Sequence, residues 1–370
     1  MSRKTKVLHI IGGMDRGGAE TFLMNVVRNI DRERFEIVIL TFLGYRVLDN
    51  RYTHQDELEK LGVKIVKIED TRFNNPFKFI RDVEGVIRQN SIDVVHSNID
   101  FMSVLPLVAA KRAGVRKRIA HSHTTFNQKL TNPLNKLVGV VCRWWVRRLA
   151  TDRVACGEEA GRWLFGNKSF TVISNAIDLD RFAFNKKERV AIRKEYGIVN
   201  SALVVLSVGR LEPAKNHRFL IEAFGHLAGS CSLSRLIILG SGSEKESLER
   251  LARELGLEDR VIIAASDDVP AYYSAADVFV MSSIFEGLPF AAVEAQASGL
   301  PLLLSDNISD EVAITKNVAF LPLKDGLERW AEALEEISKS ATMEARTILK
   351  EDFREYSIGS TIGKLERVYE

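Results

Sequence analysis

Short apolar runs alternate with amphipathic stretches along almost the whole chain. Residues 7–11, 35–41, 63–68, 93–96 and 118–120 read as buried strands, and residues 19–30, 76–89 and 102–113 between them carry the period of helices. The pattern then repeats, with strands at 203–208, 236–239, 261–263, 278–281 and 302–304 and helices such as 216–227 and 243–255. Continuous apolar strands separated by helices predict a parallel sheet covered on both faces. The fold class expected is therefore α/β, with two doubly wound, Rossmann-like halves, each having a topological switch point that faces a cleft. A polar stretch at 175–193 separates the two series and places the boundary near residue 185. The expected division is 1–185, 186–350, and a helical segment 351–370 that packs back towards the N-terminal domain.

Composition narrows this little. The 370 residues are 46% hydrophobic and 27% charged, the balance of a globular protein rather than a disordered or fibrous one. A net charge of +3 excludes a globally polybasic chain but not a local basic patch. Cys142, Cys156 and Cys231 are odd in number and widely spaced, so no disulfide framework or zinc spacing is present. The polar residues 1–6 lead straight into an apolar strand without a signal-peptide core, and the longest apolar stretch, 102–110, is broken by Ser103 and Pro106. A cytoplasmic protein is expected.

Candidate chemistry sits where strands run into helices. The first such turn, Ile10 to Glu20, holds Gly12, Gly13, Gly17 and Gly18, which suit a tight turn close to a ligand. Its spacing is not the dinucleotide fingerprint, and a plain surface turn is the alternative. In the second half Gly209 follows a strand, with Arg210 and Lys215 flanking the turn into a helix. Two cations at a helix start suit a diphosphate without a metal, although two basic residues five apart are often only solvated surface. From Ser282 to Glu294, Pro289 marks a helix start, with Glu286 on the loop before it and Glu294 about one turn in. Carboxylates so placed can accept hydrogen bonds from sugar hydroxyls; a helix-start charge and a core-edge charge are the plain alternatives. His121 and His123 alternate along a strand end, where two metal ligands without a third are weak support for a metal site.

Glu286 and Glu294, eight apart, match the E-x7-E motif of retaining glycosyltransferases of the GT-B fold, family 4. The stretches GGMDRGGAE, VGRLEPAKNH, ILGSGSEKE and SDDVPAYYSAADVFVMSSIFEGLPFAAVEAQASGLP resemble that family's segments in the expected order, particularly in members that build capsular or exopolysaccharides. The resemblance implies that Arg210 and Lys215 bind the donor diphosphate at the Gly209 turn. It implies that Glu286 meets the donor sugar's hydroxyls, and that the backbone of Gly287, Leu288, Pro289 and Phe290 touches sugar and phosphate. Glu294 would bond the ribose, Gly13 would line the opposite side of the cleft, and His123, rather than His121, would contact the transferred sugar near its anomeric carbon. It further implies retaining transfer of a hexosyl or N-acetylhexosaminyl unit from a nucleotide sugar, UDP-linked by expectation, to a hydroxyl of a glycan or lipid-linked acceptor. No cofactor, metal or nucleic-acid partner is expected. A nucleotide-sugar epimerase of the same fold and a non-catalytic scaffold of a polysaccharide-assembly complex are the alternatives.

The sequence departs from the family pattern at Asn175-Ala176, at 263–266 and at 305–309, where glycines are usual. Asp178-Leu179-Asp180 looks like a metal-binding D-x-D but reads as a linker turn. One feature needs no resemblance: residues 101–151 hold ten Lys or Arg and no Asp or Glu. Within them Trp144 and Trp145 sit beside Arg143, Arg147 and Arg148. Such a segment suits an anionic membrane surface and a peripheral position at the inner face of the membrane; a helix with tryptophans in the core and arginines in solvent is the alternative.

Overall fold

The computed structural model describes residues 3–14, 17–43, 54–124, 133–266, 268–286, 288–339, 346, 348 and 350–370. They divide into two units, Met1–Ala176 with Glu355–Glu370, and Ile177–Arg354. The division falls after Ala176 rather than near 185, because residues 177–185 go with the second unit, where the Asn185 N–H donates to the Ser274 hydroxyl at 3.1 Å, and the helix Lys186–Glu195 that follows is fastened there too. Its Arg189 and Arg193 donate to the carboxylate of Asp277 at 2.6 and 2.7 Å, and the Arg193 guanidinium is buried among the carbonyls of Ala275, Asn200 and Ala202.

The first unit is built on seven parallel strands: β1 (Thr5–Ile10), β2 (Phe35–Leu43), β3 (Lys64–Glu69), β4 (Val94–Ser97), β5 (Lys117–Ser122), β6 (Asp152–Ala155) and β7 (Thr171–Val172). Their order is β3-β2-β1-β4-β5-β6-β7. The second unit has six: β8 (Val204–Val208), β9 (Arg235–Leu239), β10 (Val261–Ala264), β11 (Val278–Met281), β12 (Leu302–Ser305) and β13 (Val318–Leu321), in the order β10-β9-β8-β11-β12-β13. The strands that pattern alone does not reveal, β6, β7 and β13, lie towards or at a sheet edge. There they are short, and β7 and β13 are not fully buried, so no continuous apolar run marks them.

Helices cover both faces. Pro76–Gln89 starts at Asn75, whose side chain accepts from the Lys78 N–H at 3.0 Å, and it buries Phe79, Ile80, Val83, Val86 and Ile87 on one stripe. Helix Ile358–Tyr369 belongs to the first unit. Its Ile362, Leu365 and Tyr369 share one apolar cluster with Phe22, Leu23, Val26 and Val27 of helix Gly18–Asn29. The Thr361 hydroxyl donates to the carbonyl of Ser174 at 2.9 Å, and Glu366 accepts from the Asp31 N–H at 3.0 Å, which fixes the register of that packing.

All these strands run parallel, and in both sheets the side on which successive strands are added switches once: between β1 and β4 in the first and between β8 and β11 in the second. The crevice outside the carboxyl ends at such a point is where open α/β sheets bind ligands. Each predicted loop lies there.

Candidate active site

In the second unit the loops after β8 and β11 meet. The Ile284 N–H donates to the Ala214 carbonyl at 2.9 Å, and the Ser282 hydroxyl donates to that of Asn216 at 3.0 Å. These bonds carry the Lys215 ammonium onto the carboxylate of Glu286, with which it forms an ion pair. Both side chains are about four-fifths buried, so the pair is only partly screened by water. Asn216 adopts the left-handed conformation, φ 55°, which turns the chain sharply from Pro213–Lys215 into helix His217–Ser230. At that helix's first position the imidazole of His217 is buried; burial first, then the Lys215 charge, lowers it to about 4, so it stands neutral beside the cation.

The loop after β9 closes this turn from beneath. The Leu211 N–H donates to the Ser241 carbonyl at 2.9 Å, and that of Glu244 to Leu211 at 3.1 Å. A Cβ at Gly240 would lie 1.8 Å from the Gly209 oxygen, and one at Gly242 would lie 2.3 Å from the Leu211 oxygen. Only glycines allow two backbones to run this close. Gly209 itself lies against the Lys215 side chain. Arg210 is half exposed, and its guanidinium is bonded to Glu212 at 2.6 Å.

Glu286 is held by its backbone as well as its charge. It donates to the Asn307 carbonyl at 3.4 Å and accepts from the Ser309 N–H at 3.3 Å, so the loop after β12 flanks it. Gly287 lies outside the described residues. Pro289 caps helix Phe290–Ala297 rather than opening its first turn, and half-buried Leu288 precedes it. Glu294, on that helix, accepts from the Tyr273 hydroxyl at 2.8 Å. Burial raises its carboxyl to about 7, against the lowering effects of that hydrogen bond and of the Arg181 charge.

In the first unit, Gly13 is buried in the loop after β1, and its neighbour Gly12 accepts from the Phe42 N–H at 3.3 Å. His123 lies just past the end of β5, its ring stacked on that of His121 with centroids 3.9 Å apart. Its N–H donates to Asp100 at 2.8 Å, and its Nε2 lies 3.1 Å from Asn98 Oδ1. Asp100 has φ 49°, and burial raises its carboxyl to about 7. The sequence did not single out Asn98, Asp100, His9, His96 or Tyr369, all of which join this site. A cavity of about 210 Å³ opens beside them, lined by Gly12, Glu20, Arg72, Asn98, Asp100 and Phe101. Asp178 caps the short helix Leu179–Phe182 by accepting from the Arg181 N–H at 3.1 Å, and Asp180 pairs with Lys350, so the D-x-D carboxylates serve a helix start and an ion pair.

Helix Pro133–Leu149 goes against the core-tryptophan alternative. Trp144 and Trp145 are exposed, as are Leu137, Val138, Val140 and Val141. Arg143 and Arg147 instead turn inward to the carbonyls of Trp163 and Leu164 at 3.1 and 3.0 Å, and Arg148 lies over the Trp144 ring.

Two parallel doubly wound sheets, with a Lys215–Glu286 ion pair at a helix start in the second, fit the GT-B glycosyltransferase class. A solved structure from Anabaena, Alr3699/HepE in complex with UDP and glucose, superposes with a TM-score of 0.79 at 18% identity over 98% of each chain. Residues 188–356 match the family described as glycosyl transferases group 1, and residues 16–181 match glycosyltransferase family 4. The chain is 33% identical to the putative glycosyltransferase EpsF of Bacillus subtilis (strain 168) over 100% of its own length and 97% of that protein. It is 28% identical to the capsular polysaccharide biosynthesis glycosyltransferase CapH of Staphylococcus aureus over 98% of both. This chain belongs to the group 1, family 4 glycosyltransferases.

Proposed function

We propose that this glycosyltransferase moves a sugar from a UDP-linked donor to a hydroxyl of a glycan or lipid-linked acceptor during cell-surface polysaccharide synthesis, with retention and without a metal. The observation that carries the reading is the Lys215–Glu286 ion pair at the start of helix His217–Ser230. In the free protein the two charges neutralise each other. An arriving diphosphate draws Lys215 and the helix N–H groups to itself, and the sugar hydroxyls donate to the carboxylate that Lys215 releases. Exchange of one internal pair for two ligand contacts makes donor binding and site assembly one event. The name of the superposed Anabaena complex supports UDP, and that of CapH supports a polysaccharide product.

In the reaction the acceptor oxygen forms the new bond to the anomeric carbon on the face from which phosphate leaves. The breaking carbon–oxygen bond gives its electron pair to the β-phosphate, which also takes the acceptor's proton. Lys215, joined by Arg210 when it exchanges Glu212 for phosphate, stabilises the charge growing on that leaving group, where a preorganised cation has most effect. The exposed tryptophans and valines of helix Pro133–Leu149, with Lys136 and Arg148 beside them, fit an anionic lipid surface. That docking brings a lipid-linked acceptor to the enzyme. Among the described residues no helix is long and apolar enough to cross a membrane.

A thermal-shift screen of nucleotide sugars, followed by transfer of labelled sugar from each stabilising compound to a membrane extract, tests the reading. Stabilisation by one sugar nucleotide and acceptor-dependent release of the nucleoside diphosphate are expected. Conversion of the sugar nucleotide to its epimer without acceptor, or no uptake of any sugar nucleotide, overturns it.

A further inference from the structure

Four histidines lie together in the first unit, and the family resemblance gives a role to His123 alone. His9 on β1 pairs in register with His96 on β4, and His121 follows on β5. Their rings form a row with His123: centroids are 4.6 Å apart for His9–His96, 5.2 Å for His96–His121 and 3.9 Å for His121–His123, with Phe22 edge-on to three of them. Burial holds His9 and His123 down to about 3, and His96 and His121 lie well below the ordinary imidazole range for the same reason. All four are neutral, so each carries a single ring proton and must be one tautomer or the other.

The hydrogen-bond partners decide which. Asn98 Nδ2 lies 3.4 Å from the carbonyl oxygen of Ile10 and 3.3 Å from that of His96. Both only accept, so the amide nitrogen belongs on that side and the amide oxygen on the other. Asn98 Oδ1 therefore accepts from His123 Nε2–H at 3.1 Å. Asn98 Nδ2 donates to His9 Nδ1 at 3.3 Å, which leaves the His9 proton on Nε2, where it is donated to Tyr369 Oη at 2.8 Å. The Tyr369 hydroxyl then donates to His96 Nδ1 at 2.9 Å, and His96 Nε2–H donates to His121 Nδ1 at 3.1 Å. Two ring nitrogens remain over, the bare Nδ1 of His123 and the Nε2–H of His121, and both are buried without a hydrogen-bond partner among the described residues. A buried unmet donor or acceptor is destabilising, so such a pair in adjacent stacked rings calls for a function.

We propose that His123, Asn98, His9, Tyr369, His96 and His121 form a one-way chain of neutral hydrogen bonds in which Asn98 locks His9 and His123, and Tyr369 locks His96 and His121, as the Nε2–H tautomer, with the Nδ1 lone pair of His123 held as an acceptor. Asn98 and Tyr369 are positioning residues. The C-terminal helix, through Tyr369, thereby fixes His96 and His121, while Asn98, oriented by the carbonyls of Ile10 and His96, fixes His9 and His123. A bare acceptor next to a free N–H is the complement of a sugar hydroxyl, which can donate to the first and accept from the second. This last step rests on the reading of His123 as the sugar-facing histidine; the tautomer chain does not.

Two-bond proton–nitrogen NMR spectra of the ¹⁵N-histidine-labelled full chain test it without any substrate. The expected spectrum assigns all four imidazoles as neutral with the proton on Nε2. Tyr369→Phe should leave that form at His9 and His123, which Asn98 pins, and should lose the single form at His96 and His121, whose donor it removes. Asn98→Ala should lose it at His9 and His123. A wild-type spectrum with the proton on His123 Nδ1, or with imidazolium at neutral pH, overturns the proposal whether or not either variant folds. If the tautomers come out as stated while His123→Phe transfers sugar at the parent rate, the chain stands and the sugar-facing reading of His123 falls.

Discussion

The two units place their chemistry at the same topological point by opposite electrostatic means. In the second, loops after β8 and β11 bring a cation and a carboxylate together beside a helix N-terminus. Every component is charged or dipolar, as a site that receives a diphosphate requires. In the first, the ends of β1, β4 and β5 bring up four imidazoles from which burial has removed the charge. Such a site distinguishes ligands by which atoms donate and which accept, and attracts no anion. The lesson is that one architecture can assign charge stabilisation to one sheet and hydroxyl orientation to another.

The test with the largest expected effect is loss of the cation. Lys215→Ala should lower kcat by roughly 10²–10³, the usual consequence of removing one preorganised group from developing negative charge. The protein should stay folded with a lowered melting temperature, because the change leaves the four-fifths-buried Glu286 carboxylate without its cation. Steady-state kinetics beside a thermal melt decides it, and near-parent turnover would break the contrast between the units. Next comes the backbone contact beneath that turn. Gly240→Ala forces a Cβ to 1.8 Å from the Gly209 oxygen, and one backbone must move. A destabilisation of about 2–3 kcal/mol is expected from a strain of this kind, read as a lower urea midpoint with unchanged slope.

Legibility in the sequence follows the same divide. The second unit's site lies on three continuous stretches, each running from a buried strand into a loop, so Gly209, Arg210, Lys215, Glu286 and Glu294 stand beside the apolar runs that locate them. Even there the constraints that come from one loop touching another are invisible: nothing local shows that Gly240 lies under Gly209, that Asn307 holds Glu286 or that Tyr273 meets Glu294. The first unit's site is assembled from residues as far apart as His9 and Tyr369, joined only by strand register and the return of the last helix. A histidine inside a buried strand reads locally as a core residue. The period-two alternation of His121 and His123 was the one local sign, and it could not reveal the partners across the sheet. The inward turn of Arg143 and Arg147 in helix Pro133–Leu149 was hidden for a related reason: their carbonyl partners at Trp163 and Leu164 belong to the next helix, so nothing local distinguishes them from solvent-facing arginines.

A smaller effect should come from that helix. Replacing Trp144 and Trp145 by serine removes two exposed indoles, and binding to vesicles containing phosphatidylglycerol should weaken by about tenfold, given that each buried methylene of membrane contact is worth ~0.8 kcal/mol and a surface indole is only partly inserted. Sedimentation with vesicles measures this. Turnover on a water-soluble acceptor should hold, since neither indole is part of the donor or histidine sites; equal loss in both assays would refute lipid docking.

The smallest effect, and the one that separates the units most finely, is in pH dependence. Glu294 titrates at about 7 in the folded protein, against an ordinary value of 4.5. The folded state therefore holds this proton more tightly than the unfolded chain does. The stability it contributes is complete below about 4.5 and is lost as pH rises through about 7. Asp100 in the first unit behaves alike, rising from 3.8 to about 7, whereas the four imidazoles, held at about 3 or well below their usual 6.5, act in the opposite sense: the unfolded chain binds their protons more readily, so they add stability as pH rises towards about 6.5. Each carboxyl offsets part of that rise, so the melting temperature should climb more steeply between pH 4.5 and 7 in Glu294→Gln than in wild type, and likewise in Asp100→Asn. Their effects on donor binding should differ. Ribose hydroxyls donate to the ionised form of Glu294, so binding of the sugar nucleotide expels its proton and tightens as pH rises towards 7, by at most about tenfold per pH unit for one proton. That rise should vanish in Glu294→Gln and persist in Asp100→Asn. Calorimetric titration at several pH values measures it, and an affinity that climbs equally in wild type and Glu294→Gln removes Glu294 from the ribose.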